Sequence, residues 1–424
     1  MNNKKYMAFF VLLFITLLSC AVITAADTTN NVTAEKTVSK DTITQKAVQT
    51  DKSVKNIDDE KTKTIEKKVT KIKKEATVEV EANDYAAMYD YVNEAKNSED
   101  QYVIKLTGST DVYTLTDSIM WEPQTPKLLT INGNGKTIDS HNLPFLTIAQ
   151  DSSVTINNLT VKNAKAENGG AINNSGTLVV ENSTFVNNSV TKKGGAIYSD
   201  GILTVTNSTF KNNNVTEGKN SVDDGGVAIF TKGKLVVKNS TFEDNVAKYL
   251  DDSTSSDGGN GGAIQALDST EDFIILDSTF KNNQGRHGGA IIILDNQFRN
   301  SGNKTIAGCN FTGNKATYGG AIETYATTNI FKCKFEENEV GGYGSAGTNS
   351  PSGGAILING GSYSNEVNIE ECEFKNNSAL NKYTYVAGQG SAVYIIVKVQ
   401  MSHWINVNSL ITVLILVEQY MYVI

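Results

Sequence analysis

Two short signatures recur in fixed order along this chain, and the distance between them restricts the fold more than any other feature. The alanine of a G-x-A-[IV] element falls at Ala171, Ala196, Ala228, Ala263, Ala290, Ala321, Ala355 and Ala392. Between successive alanines stands one phenylalanine of an N-S-T-F-like element: Phe185, Phe210, Phe242, Phe280, Phe311, Phe335 and Phe374. Alanine to phenylalanine takes 14 to 21 residues and phenylalanine to the next alanine 10 to 21. The shortest unit therefore has 24 residues, and longer ones carry insertions at one of two places. Within a unit the apolar residues alternate with period 2 (Leu178 and Val180), and Gly and Asn interrupt the runs too often for helix. A circuit of three short strands and the turns between them fits, stacked on its neighbours at about 4.8 Å. The expected fold is all-β: a parallel β-helix, a solenoid whose coils bury their inner faces against one another.

In such a coil the isoleucine after each Ala points inward and stacks on its copies, giving a ladder through Ile172, Ile197, Ile229, Ile264, Ile291, Ile322 and Ile356. The seven Phe make a second ladder with offset ring contacts. The glycine opening each element (Gly169, Gly194, Gly226, Gly261, Gly288, Gly319, Gly353 and Gly390) is expected at a corner with no room for a Cβ. Asn187-Asn188 and their copies belong at the other corner, since Asn tolerates the left-handed conformation and stacked amides can bond along the axis.

The pair of signatures, G-G-A-I and F-x-x-N, resembles the repeats of chlamydial polymorphic outer-membrane proteins. The fuller pattern LLTINGNGKTIDS, SVTINNLTVKNA, then GGAI and NSTFxNN is similar to that of adhesin-like surface proteins of methanogenic archaea. The resemblance covers roughly residues 81–395. It implies a right-handed, pectin-lyase-like β-helix displayed on the cell surface. The C-terminus departs from both families, with neither an autotransporter barrel nor a recognisable wall anchor.

The flanks read differently. Lys4 and Lys5, an apolar run from Met7 to Val22 and the small residues Thr24-Ala25-Ala26 form a secretory signal peptide over 1–26, with a cut expected after Ala26. An uncleaved membrane anchor and a lipoprotein processed at Cys20 are the alternatives. Residues 27–80 hold no aromatic residue, Gly or Pro and read as a disordered spacer. Order is expected from Asn83, where Tyr85, Met88, Tyr89 and Val92 lie on one face of a short capping helix, with Asn83 or Asp84 as its cap. The β-helix domain runs over 81–395. In 396–424 the pattern gives way to an aberrant or truncated tail, whose apolar run Leu410–Val417 is too short to span a bilayer. The formal charge is −8; residues 27–80 carry 12 Lys against 10 acidic groups and Lys4 and Lys5 add two, which leaves −12 on 81–424. An acidic rod disfavours nucleic acid and anionic lipid as partners.

Residues that could carry chemistry are few. Cys309, Cys333 and Cys372 each stand two before a ladder Phe, so they stack in consecutive coils as buried thiols, or as a disulfide with one cysteine left over. Asp223, Asp224, Asp251, Asp252 and Asp257 lie on insertions and could hold Ca²⁺. Arg286-His287 is a basic pair near a corner and has no carboxylate partner nearby in sequence. No catalytic, cofactor or metal pattern is matched. Asn158, Asn182, Asn207, Asn239, Asn310 and Asn376 stand in N-x-[ST] sequons. The insertions carry Tyr249, Tyr343, Tyr383 and Tyr385, aromatic candidates for contact with a glycan or a cell-surface protein. The expected function is an exported, non-enzymatic surface rod; a polysaccharide lyase or hydrolase on the same fold, or a structural envelope component, are the alternatives.

Overall fold

A computed structural model describes residues 76–216, 224–247, 261–267, 271–294, 302–341, 352–359, 367–380 and 391–396, together with two strands at 413–417 and 420–423. The chain divides into two units, Met1–Lys71 and Ile72–Ile424, and every described residue lies in the second.

One coil shows how the sequence turns into the solenoid. It starts with the strand Ile172–Asn174, continues through Thr177–Glu181 and Thr184–Val186, and ends with a fourth short strand, Ser189–Lys193. Each strand pairs in parallel with its equivalent one coil away: Ile172 with Ile197, Leu178 with Leu203, Phe185 with Phe210, and Ser189 with Asn214. Repetition builds sheets of 11, 12 and 10 strands, and the fourth position forms two shorter sheets of 4 and 3. The fourth strand is an addition to the expected three. It arises where the residues after the Asn-Asn corner still alternate, so that Val190 and Val215 bury into a small separate cluster with Val227 and Ala247. At about 4.8 Å per coil, the ten-stranded sheet spans roughly 43 Å.

The two apolar ladders are the core. Ile172 through Ile356 run in one register and are fully buried, with Leu146 before them and Val393 after. The seven Phe rings stack at 4.8–5.1 Å between centroids, with interplanar angles of 4–9°. Burying each ring contributes about 2–3 kcal/mol, and the stacking geometry fixes the register.

Both corners depend on left-handed backbone. Gly169 and Gly194 have φ of 60° and 65°, and the second glycine matters for a different reason: a Cβ on Gly170 would lie 2.0 Å from the Gly195 carbonyl oxygen. At the other corner Asn187, Asn212 and Asn282 take φ of 53–57°. The second Asn forms the amide ladder. Asn213 Nδ2 donates to Asn245 Oδ1 (2.9 Å) and to the Phe185 carbonyl (3.1 Å), while its Oδ1 accepts from Asn188 N and Asn188 Nδ2. Asn188, Asn245, Asn283, Asn314, Asn338 and Asn377 continue this ladder. Each interior amide thereby uses all its hydrogen-bonding capacity. The sequon asparagines are turn residues as well: Asn158, Asn182, Asn207 and Asn239 have φ of 49–51° at a third corner.

The ends differ from expectation. The helix spans Tyr85–Asn97, with Asp84 Oδ1 accepting from Ala87 N at 2.8 Å, and it buries Tyr85, Met88, Val92 and Ala95. Tyr89 is only partly buried. The solenoid starts before the helix, with the strand Thr77–Ala82 paired over six residues to Gln101–Leu106. This strand lies partly inside the expected spacer: TVEVEA is too short and too acidic to stand out alone, but it finds a ready edge once Gln101–Leu106 forms. In the tail, Val413–Val417 pairs in parallel with Val393–Ile396, and Tyr420–Val423 folds back antiparallel. Part of the expected non-repetitive tail therefore extends the isoleucine sheet.

Candidate binding cleft

Two outward columns flank the glycine corner. One consists of the residue just before the corner glycine, and in successive coils His287, Tyr318 and Ser352 bridge there in parallel. The other consists of the residue after the ladder isoleucine, running Gln265, Ile292, Glu323 and Leu357. An outward residue on a solenoid is ordinarily solvated, but Gln265, Ile292, Glu323 and Leu357 are all essentially buried. Phe230, Leu267, Ile292 and Leu294 form an apolar cluster on this outer face, with Tyr198 and Tyr325 against it. Where the two columns meet, a cleft of about 310 Å³ opens, lined among the described residues by Arg286, His287, Tyr318, Glu323, Tyr325 and Asn359. Ser352 and Leu357 complete the described part of its wall.

The polar groups of the cleft are linked to one another. His287 Nδ1 lies 2.8 Å from Glu323 Oε2, and the carboxylate is 1% exposed. The Tyr318 ring stacks on the imidazole, with centroids 4.8 Å apart and planes at 22°. The Tyr325 hydroxyl also bonds to the Glu323 carboxylate and to the Asn359 amide. Burial pushes the Tyr325 phenol far above its ordinary range, and the charge and hydrogen bond of Glu323 add to the shift. Tyr318 is raised as well, mainly by burial, with Arg286 opposing and Glu323 reinforcing. Both phenols therefore stay neutral at physiological pH. The cleft presents two ring faces, a guanidinium, an amide and one carboxylate already held by a histidine and a tyrosine.

The partner that Arg286-His287 lacks nearby in sequence is Glu323, 36 residues downstream of His287 and one coil along. Glu323, Tyr318, Tyr325 and Asn359 were not singled out by sequence. The signal that finds them is a reading down two positions of the repeat rather than along the chain. Asp224 is described and buried, near Lys192. Asp223, Asp251, Asp252 and Asp257, the contact candidates Tyr249, Tyr343, Tyr383 and Tyr385, and the corner Gly390 lie outside the described residues. Among the described residues, no group of three or more His, Cys, Asp or Glu comes together as a metal site.

The cysteines occupy the inward position that Ser183, Ser208, Ser240 and Ser278 hold in earlier coils. There each Ser Oγ accepts from the backbone N–H one coil back, as Ser208 Oγ does from Ser183 N at 3.1 Å. Cys309, Cys333 and Cys372 are free and buried, and each donates its thiol to the carbonyl two residues earlier. Hydrogen bonding with Cys309, helped by burial, pushes the Cys333 thiol up to about 12. These are inert packing groups, joined by no disulfide. The sequon asparagines Asn182 and Asn207 are exposed and bond through their amides to Asn157 and Asn182.

A family model described as a right handed beta helix region matches residues 145–340. The match covers the coils from Phe185 to Phe335 and from Asn188 to Asn338, all but the last rung of each ladder, and with the parallel sheets it makes the fold a right-handed parallel β-helix. No curated protein and no solved structure matches the chain.

Proposed function

We propose that this chain is an exported, non-catalytic surface rod that contacts glycans or proteins of other cells or of its own envelope. Export rests on the basic and apolar N-terminus with its small-residue cut site at Ala26. The rod follows from the fold, which by itself implies no function. The observation that carries the binding reading is the cleft at Glu323, lined by two tyrosines, a guanidinium and an amide. The acidic balance of residues 81–424 directs the reading away from nucleic acid and towards uncharged partners.

A specific observation favours one other reading. A buried carboxylate bonded to a histidine resembles an acid–base pair, so a polysaccharide lyase or hydrolase would act at His287 and Glu323. One experiment separates the two. The purified chain is incubated with neutral and uronic polysaccharides and with isolated cell envelopes, and both retention of protein and release of new chain ends are recorded. Retention without release is expected. Release abolished by His287→Gln would replace the binding reading with the enzyme, and self-assembly without retention would point to a structural envelope component.

A further inference from the structure

The cleft at Glu323 has a size, a charge balance and a lining that together specify a ligand. Its volume of about 310 Å³ lies at the small end of the roughly 300–1,000 Å³ range for small-molecule sites, which suits one or two sugar rings. Its lining holds the flat rings of Tyr318 and Tyr325 beside Leu357, together with the hydrogen-bonding groups of Arg286, Asn359 and Ser352. That mixture matches a pyranose, which has C–H faces and a rim of hydroxyls. The charges argue against an acidic sugar. The Glu323 carboxyl stands in the wall 2.8 Å from His287 Nδ1, and Arg286 lines the same cleft. A ligand carboxylate would have to lose water beside the Glu323 carboxylate, in a site where like charges are poorly screened. Neutral hydroxyls meet no such cost. The guanidinium carries five N–H donors and the Asn359 amide both donors and an acceptor, the kinds of group that bond sugar hydroxyls.

We infer that this cleft binds a single neutral sugar unit, with Tyr318 and Tyr325 as the platform for its ring and Arg286 and Asn359 bonding its hydroxyls. The inference rests on the reading of the chain as a binding rod, and adds the ligand class and the place.

The test is calorimetric titration of the full chain with cellobiose, galactobiose and chitobiose as neutral probes and digalacturonate as the charged comparison, at low and high salt. Binding of at least one neutral disaccharide is expected, insensitive to salt and at least about tenfold tighter than digalacturonate. Tyr318→Ala and Arg286→Gln should each weaken it by about tenfold, with unchanged circular dichroism; Asn359→Ala serves as a second probe if either fails to fold. Neutral binding that all folded variants preserve would overturn the site while leaving the rod's binding role intact. Preference for digalacturonate, falling with salt, would overturn the ligand class. Retention on envelopes with no disaccharide bound would overturn the inference alone. Absence of both retention and binding would overturn the proposed function with it.

Discussion

The asparagine corner and the glycine corner are turned by the same backbone device, yet they are used in opposite ways. At the asparagine corner the side chain hardly changes: Asn188, Asn213, Asn245, Asn283, Asn314, Asn338 and Asn377 each satisfy and are satisfied by their copies. These buried amides have nothing left to offer a ligand. At the glycine corner the backbone is constant, with φ between 54° and 72° from Gly169 to Gly353, but the preceding side chain changes from Asn168 and Lys193 to His287, Tyr318 and Ser352. A column of identical residues in a solenoid is consumed by stacking. A column that varies is where outward chemistry can appear.

The contrast can be broken most directly at Asn245. Its replacement by alanine leaves Asn213 N and one hydrogen of Asn213 Nδ2 without an acceptor and takes the amide donor from Phe210 O, while Asn283 Oδ1 keeps the backbone N–H of residue 245 and Asn213 Nδ2 keeps the Phe185 carbonyl. With each buried orphan costing about 1–3 kcal/mol, partly offset by relaxation, a loss of about 4 kcal/mol is expected in chemical denaturation. A loss below about 1 kcal/mol would show that the ladder is not what holds this corner. At the glycine corner, Tyr318→Ala removes a half-buried ring stacked on His287 and should cost only about 1 kcal/mol. A cost equal to that of Asn245→Ala would make both corners structural and end the distinction.

Two smaller effects sharpen it. Lys332 has φ of 54° at the third corner, where earlier coils place Asn. Lys332→Asn should raise stability by about 0.5–1 kcal/mol in a thermal melt, since Asn tolerates that conformation better; a destabilised variant would mean that the exposed pair with Glu371 matters more than the backbone. On the outer face of the Phe strands, Glu243 lies between Lys211 (2.9 Å) and Lys281 (3.3 Å) in the flanking coils. Hydrogen bonds from these lysines hold its carboxyl below the ordinary range. Its contribution is thus complete above the unfolded carboxylate pKa and is lost as pH falls through the lower folded value. A carboxyl NMR titration should place its midpoint below that of a free glutamate, and Lys211→Ala should move it back up; an unshifted midpoint would mark the pair as a solvated contact.

Legibility in the sequence follows the same division. The ladders of Ile356 and Phe374 could be read because a stacked column repeats its residue inside the same short motif, in fixed order, whatever the insertions between. The corner glycines could be read because their role is local. The fourth strand was missed because the copies of Ser189–Lys193 are short and uneven, from four residues in Lys165–Asn168 to two in Asn214–Val215 and Val246–Ala247, which gives no periodicity to count. The opening strand Thr77–Ala82 was missed because its identity depends on a partner some two dozen residues away. The cleft was hidden for a related reason. His287 and Glu323 are neighbours only when the chain is wound, and the insertion that separates them in sequence has no fixed length across coils. Searching near His287 for a carboxylate therefore had no chance of success.

The inter-coil hydrogen bonds of this solenoid run along its axis, and each coil is bonded only to the one before and the one after. That arrangement determines how the molecule yields to a mechanical load. Tension between the two ends does not shear a whole sheet at once; it peels the terminal coil, then the next. The shortest unit, 24 residues, pays out roughly 80 Å of extended chain, and coils with insertions release more. A pulled rod of this kind lengthens in small steps, dissipating work at each one, and rewinds onto the remaining coils when the force is removed.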